Sequence, residues 1–358
     1  MTSHSQPTGH LRRLAAVRTI TAIALVFGYS STMNRGPGAA EWGRLFEYEP
    51  SLFAVQVLFF LAGWLALRSL HRHGSGWKLL RSRARRNLPL LAVVTAIVAF
   101  VLYPLIAPGD APMGLGERLG YFVQTVSCAD PGQPMPGALD DAHYACLLQG
   151  AIWTFRWGAL AYIGTALLWH VGLLRGRGLV TLGAASGTVA YFGLHFYLAK
   201  LGAPDGSRLF DASAGLSLAY PFAVGMAAFA WRDRLPASLL PAVALLAVAC
   251  ANYLFLPWTP LIPILSTLAL CWLALHLVEH GRAGWLEDWP DHALPLFVVN
   301  WPLCQTLLWL FPDISTGSLV ASTLAGSLLF ALALRAPQRL RRPFSPPAFS
   351  QAKTARTP

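Results

Sequence analysis

"RTITAIALVFGYSSTMN", residues 18–34, is the stretch whose reading decides the fold. It opens on Arg18, runs apolar for most of three helical turns, and ends in a polar knot of Tyr29, Ser30, Ser31, Thr32 and Asn34. Between residues 14 and 33 the only charge is Arg18. About 20 such residues are what a helix needs to cross a bilayer.

The rest of the chain repeats that pattern. Of its 358 residues, 55% are hydrophobic and only 12% are charged, about half the charge of an ordinary soluble domain. So few charges would leave a globular surface largely uncovered, so the expected solvent is lipid. Ten candidate spans follow: roughly 14–33, 51–70, 88–107, 150–172, 178–198, 213–231, 236–256, 260–280, 293–311 and 316–335. No strand-like alternation recurs at barrel length. The expected fold is an all-α polytopic membrane protein. Residues 1–10 are expected to form a disordered cytoplasmic tail, 11–335 a ten-helix membrane domain, and 336–358 a basic, Pro-rich cytoplasmic tail.

Charge placement sets the orientation. The net charge is +11, but the cations lie in short clusters between apolar runs, which argues against a nucleic-acid partner. With the N-terminus in the cytoplasm, 21 of the 27 Lys and Arg residues fall on the inner side. Both termini are then cytoplasmic, and the expected location is the cytoplasmic membrane of a bacterium. The first run sits behind Arg12, Arg13 and Arg18 and outlasts a signal h-region, so no cleavable signal is expected.

Two clusters suggest chemistry. Arg18 lies a turn inside the first span, where an ionisable residue is costly. In "RSRARRNLP", residues 81–89, Arg83 and Arg86 are three apart and share a helical face. Pro89 is expected to open the first turn of the third span and leave backbone donors free. Two guanidinium groups beside such donors suit a phosphate-bearing ligand at the inner membrane face. In the outer loop 108–149, Cys128 and Cys146 are a candidate disulfide. Cys128, Cys146 and His143 lack the spacing of a metal finger, so no metal is expected.

These stretches together resemble the type-3 acyltransferase family. The resemblance rests on Arg18 followed by Tyr29 after ten residues, then on "QVLFFLAGWL" (56–65), where Phe59, Phe60 and Gly63 match and Ala62 replaces a usual Ser. It continues through "RARRNLP" (83–89), "AIWTFRWGALAY" (151–162) with Trp153 and Arg156, "YPFAVGMAAFAW" (220–231) and "LPLFVVNWPL" (294–303). The likeness leans toward the branch that succinylates osmoregulated glucans. It implies transfer of an acyl group, acetyl or succinyl, from cytoplasmic acyl-CoA to a sugar hydroxyl of an envelope glycan. Membrane lipid, the glycan acceptor and glycan-synthesis proteins are the implied partners. Arg83, Arg86, Trp153, Arg156 and Asn300 are the implied binding residues, and Arg18 and Tyr29 the catalytic ones.

The departure lies in the histidines. Tyr29 stands where the family has its reactive His, and Asn300 where it has a second. An unperturbed Tyr is ionised only about one part in a thousand at pH 7, and losing a general base costs about 10²–10⁴ in rate. Either a cation such as Arg35 or Arg156 activates Tyr29, or His195 substitutes, or the chain binds without catalysing. A catalytically inactive binding or scaffold protein is therefore the first alternative. A transporter or flippase of a glycan precursor is the second, though no internal repeat supports it.

Overall fold

The computed structural model describes residues 8–107, 113–201, 208–256, 260–281 and 289–334. Within them the chain forms α1 (Thr8–Thr32), α2 (Pro50–His73), α3 (Gly76–Ile97), α4 (Tyr103–Ile106), α5 (Leu115–Val126), α6 (Thr154–His170), α7 (Arg177–Leu201), α8 (Arg208–Ala230), α9 (Leu240–Phe255), α10 (Leu261–His280), α11 (Ala293–Leu310) and α12 (Thr316–Ala333). No strand occurs among the described residues. A lone bridge between Leu45 and Tyr48 closes a turn. Among the described residues, eight helical segments are long and apolar enough to cross a membrane. The chain is an all-helical, polytopic membrane protein.

Every expected span has a helix, but two fall short. α6 has 17 residues and α9 has 16, or about 24–26 Å of helix against a hydrocarbon core of about 30 Å. α9 stops at Phe255 because Leu256 precedes a proline and leaves the helical conformation (φ −137°, ψ 87°). The N-terminal boundary also moves, since α1 begins at Thr8 within the expected tail. The remainder of that tail and the whole of 336–358 lie outside the described residues.

Pro89 does not open a helix. α3 starts at Gly76, where the Ser75 side chain accepts a hydrogen bond from the Lys78 amide. Pro89 sits inside it, so the donors of the first turn lie about three turns away from the position expected. The rod continues through a π-helical turn, Val98–Leu102, into α4.

α1 and α2 lie at the centre. α2 packs chiefly on α8, and α1 contacts α2, α10, α11 and α12. The α2–α8 contact is backbone on backbone. A Cβ added at Gly63 would fall 1.9 Å from the Phe222 carbonyl oxygen, and one at Gly225 would fall 2.0 Å from that of Phe60. Small residues permit this approach, which lipid-embedded helices use for packing. Polar groups are satisfied between helices too: Gln56 on α2 donates to the Ser217 carbonyl of α8 and accepts from Thr267 of α10.

The ends of the helices sort by charge. Arg13 on α1 donates to the Val278 carbonyl near the end of α10 (2.9 Å), and Arg177 at the start of α7 pairs with Asp233 beyond α8 (2.9 Å). The starts of α1, α3, α7 and α11 thus share one basic face with the ends of α2, α8 and α10. At the far face the long loop folds into a cap containing α5. Trp301 and Gln305 of α11 both donate to the Leu147 carbonyl, and Tyr103 donates to that of Pro136 (2.6 Å).

Candidate functional site

At the basic face one carboxylate collects two arginines. Asp291 Oδ2 lies 2.6 Å from Arg18 Nη1 and 2.5 Å from Arg86 Nη2. Its Oδ1 accepts the Ala293 amide at the start of α11 (3.2 Å). Burial would raise the Asp291 carboxyl, but Arg18 and Arg86 outweigh it and hold the group below the usual carboxylate range. Thr19 secures the same segment by accepting the His292 amide (2.9 Å). Asp291 escaped the sequence reading, although a buried Arg at the mouth of a span signals a counter-ion.

Arg83, one turn earlier on α3, goes elsewhere. Its guanidinium lies 5.3 Å from the ring centroid of Tyr162 on α6, and its Nε is buried without a hydrogen-bond partner. It lines a cavity of about 430 Å³. Asn87 joins it at the basic end, Phe59, Phe155 and Phe297 form the walls, and Ser127, Cys128 and Thr154 lie toward the far face. Gly158 leaves room beside Phe59, whose Cζ would be 3.8 Å from an added Cβ. Arg18 stays within electrostatic range of Arg83, Arg86 and Tyr162. The arrangement is a largely apolar cavity with Arg83 at its basic end and hydroxyl and thiol groups at the other. On the outer flank of α3, Lys78, Arg81, Arg85 and Arg86 form an open basic groove.

The expected histidine substitutes lie outside this passage. Tyr29 sits behind the wall with its ring edge-on to Trp301 (5.4 Å), and its charged neighbour is the acid Glu41. Arg35 is occupied by the carbonyls of Ser31 (2.8 Å from Nε) and Ala40 (2.6 Å). Arg156 lies over Trp157 (5.6 Å) and 4.0 Å from Asp130. Neither arginine serves Tyr29. Asn300 is buried and donates to the Leu296 and Phe297 carbonyls of its own helix (3.1 and 2.7 Å). His195 stacks on Tyr191 of its own helix, α7 (5.5 Å). Trp153 occupies the 3₁₀ turn at the head of α6, while its neighbours Thr154 and Phe155 face the cavity.

The cysteine pairing is also corrected, because Cys128 and Cys146 are free thiols. Both adopt positive φ (58° and 61°). Cys128 faces the cavity, whereas Cys146 donates to Asp140 (3.3 Å). Burial pushes up both thiols, and Asp140 raises Cys146 further. Among the described residues no group of three or more His, Cys, Asp and Glu side chains could hold a metal.

Glu41 is a titratable group that sequence reasoning missed. It is buried, accepts the Ser51 amide at Oε2 (2.9 Å) and the Ser51 hydroxyl at Oε1, and abuts Gly28, where an added Cβ would lie 2.3 Å from it. Burial raises its carboxyl despite the two Ser51 bonds. Ser51 precedes Val55 by one turn, and Val55, Leu58, Phe59 and Ala62 line the cavity. The Glu41–Ser51 pair therefore caps the cavity-facing stripe of α2 at the far end. No family model, curated protein or solved structure matches this chain.

Proposed function

We propose that this chain is a membrane-bound acyltransferase that moves an acetyl or succinyl group from acyl-CoA at the basic face to a sugar hydroxyl of an envelope glycan at the far face. The reading takes the basic face as the cytoplasmic side of a bacterial inner membrane, in keeping with the distribution of Lys and Arg. The observation that carries it is the Arg83-lined passage. Arg83 and the Lys78–Arg81–Arg85–Arg86 groove suit the phosphates of a coenzyme. The apolar wall from Ala62 to Phe155 suits an uncharged thioester arm.

In the transfer, the sugar oxygen bonds to the acyl carbon and the carbon–sulfur bond breaks. The hydroxyl proton leaves through a base and reaches the departing thiolate. A carboxylate raised by burial suits that role, and Glu41, held on Ser51 one helical turn beyond the cavity lining at Val55, is such a group.

One observation favours a second reading, a protein that binds acyl-CoA without transferring. Among the described residues no histidine lines the cavity, and Tyr29, His195 and Asn300 all face elsewhere. The test is binding of acetyl-CoA and succinyl-CoA to the purified chain, followed by thiol release with glucan present. Arg83→Gln is expected to weaken binding about tenfold. Binding without thiol release from any glucan selects the second reading. Absence of binding by folded protein overturns both.

A further inference from the structure

A larger cavity, about 570 Å³, opens on the other side of α2, between the ends of α2, α8 and α10. It shares no lining residue with the Arg83 passage. Ala62 faces that passage and Trp64 faces this cavity, two residues and about 200° apart around the helix. One helix therefore separates two compartments.

The chemistry of this second cavity is one-sided. Among the described residues, Arg68, Arg72 and Arg232 line it against one acid, Glu279, with His71, His276 and His280 beside them. Three of its groups are buried with no hydrogen-bond partner: Arg68 Nη1, Trp64 Nε1 and His276 Nδ1. Buried polar groups are nearly always paired, so three orphans around one void mark a position that a ligand would complete. The remaining groups are already placed. Arg232 lies 4.2 Å over the Phe229 ring and donates to the Phe229 carbonyl (3.0 Å). His71 packs between Trp169 and Phe229 (5.3 and 5.6 Å).

Cations at a helix-end cavity with aromatic walls suit an anion that carries an apolar remainder. Guanidinium groups match phosphate oxygens in a bidentate geometry. Basic pockets between membrane helices on the cytoplasmic side are recognition sites for phosphate headgroups. We propose that this cavity binds a phosphate-bearing ligand, with the phosphate held by Arg68 and Arg232 and the apolar remainder against Trp64 and Phe229. The proposal is independent of the acyltransferase reading, because the two cavities share no residue.

Two sources carry that chemistry, an anionic phospholipid or a soluble phosphate ester. The full chain in detergent is titrated with phosphatidylglycerol in mixed micelles, with phosphatidylcholine for comparison, and separately with inorganic phosphate and AMP. Retained ligand is read by native mass spectrometry and by the shift in Tm. The expected result is saturable binding that Arg68→Gln and Arg232→Gln each weaken about tenfold, while Arg175→Gln leaves it unchanged. Binding of phosphatidylglycerol alone assigns the site to the membrane, and binding of phosphate or AMP assigns it to a soluble ester. If Arg68→Gln does not fold, the exposed Arg232 decides. The proposal is overturned if no phosphate-bearing probe binds, or if Arg232→Gln binds as well as wild type.

Discussion

Arg18 and Asp291, 273 residues apart in the chain, meet at 2.6 Å. The ion pair joins the first turns of α1 to the entry of α11, and Arg86 of α3 completes it from a third helix. Side-chain exposures of 18% for Arg18 and 23% for Asp291 place it between surface and interior. Its two arms are therefore unequal.

Removing the shared carboxylate leaves Arg18 without its counter-ion. Asp291→Asn is expected to destabilise the fold by about 3 kcal/mol, as for a broken buried pair. Arg86→Gln should cost less than about 1 kcal/mol, because that arm is 40% exposed and screened. Thermal unfolding in detergent separates the two, and equal losses would contradict the assignment.

The contact of α2 with α8 leaves no space for a methyl group at Gly63 or Gly225. Each Gly→Ala change there is expected to cost about 2 kcal/mol or more, since the clash is with backbone and not with a movable side chain. Gly183→Ala on α7 meets nothing within 4 Å and should be neutral or stabilising by up to about 1 kcal/mol. Comparison of the three Tm values checks the pattern.

Free thiols at Cys128 and Cys146 make a redox prediction. A bond closing that loop would be worth on the order of 3 kcal/mol. Adding a reductant should therefore leave Tm where it was. Both thiols are raised, so alkylation should be slow at neutral pH and accelerate as the solution becomes alkaline. A Tm that falls on reduction would reveal a bridge.

Glu41 predicts a pH dependence of definite sign. Unfolded, its carboxyl titrates near 4.3, and burial raises it in the fold. Between those two values the native state holds more protons than the unfolded state, so this contribution is complete below about pH 4 and lost as pH rises through the folded value. Glu41→Gln should flatten that decline. Unfolding curves across the window that coincide for both proteins would remove the assignment.

Much of the membrane architecture was legible in the residues, for a simple reason. Hydrocarbon admits no unsatisfied backbone, so a run of about 20 apolar residues has only one way to satisfy itself locally. That rule located a helix for each of the ten runs. It misplaced the start of α3, because Ser75 offers a cap well before the apolar segment begins and a proline is tolerated mid-helix. It also left α5 inside a loop, where its 12 residues are too few to register as a span.

The site was legible only in part. Arg18, Arg83 and Arg86 stood out because charge beside apolar sequence is rare, but the structure gives Arg18 and Arg86 to Asp291 and only Arg83 to the cavity. Their divergence was hidden, since which arginine takes Asp291 and which takes the passage depends on how α11 and α6 lie against α3. Glu41 and the second basic cavity were hidden for the same reason.

The sequence alone determined the apolar surroundings and the helical class, because these follow from hydrophobic transfer and local hydrogen bonding along a continuous chain. Tertiary structure alone decided which polar groups meet. Partnership between residues as distant as 18 and 291 depends on helix packing in three dimensions, and spacing along one strand of sequence carries no record of it.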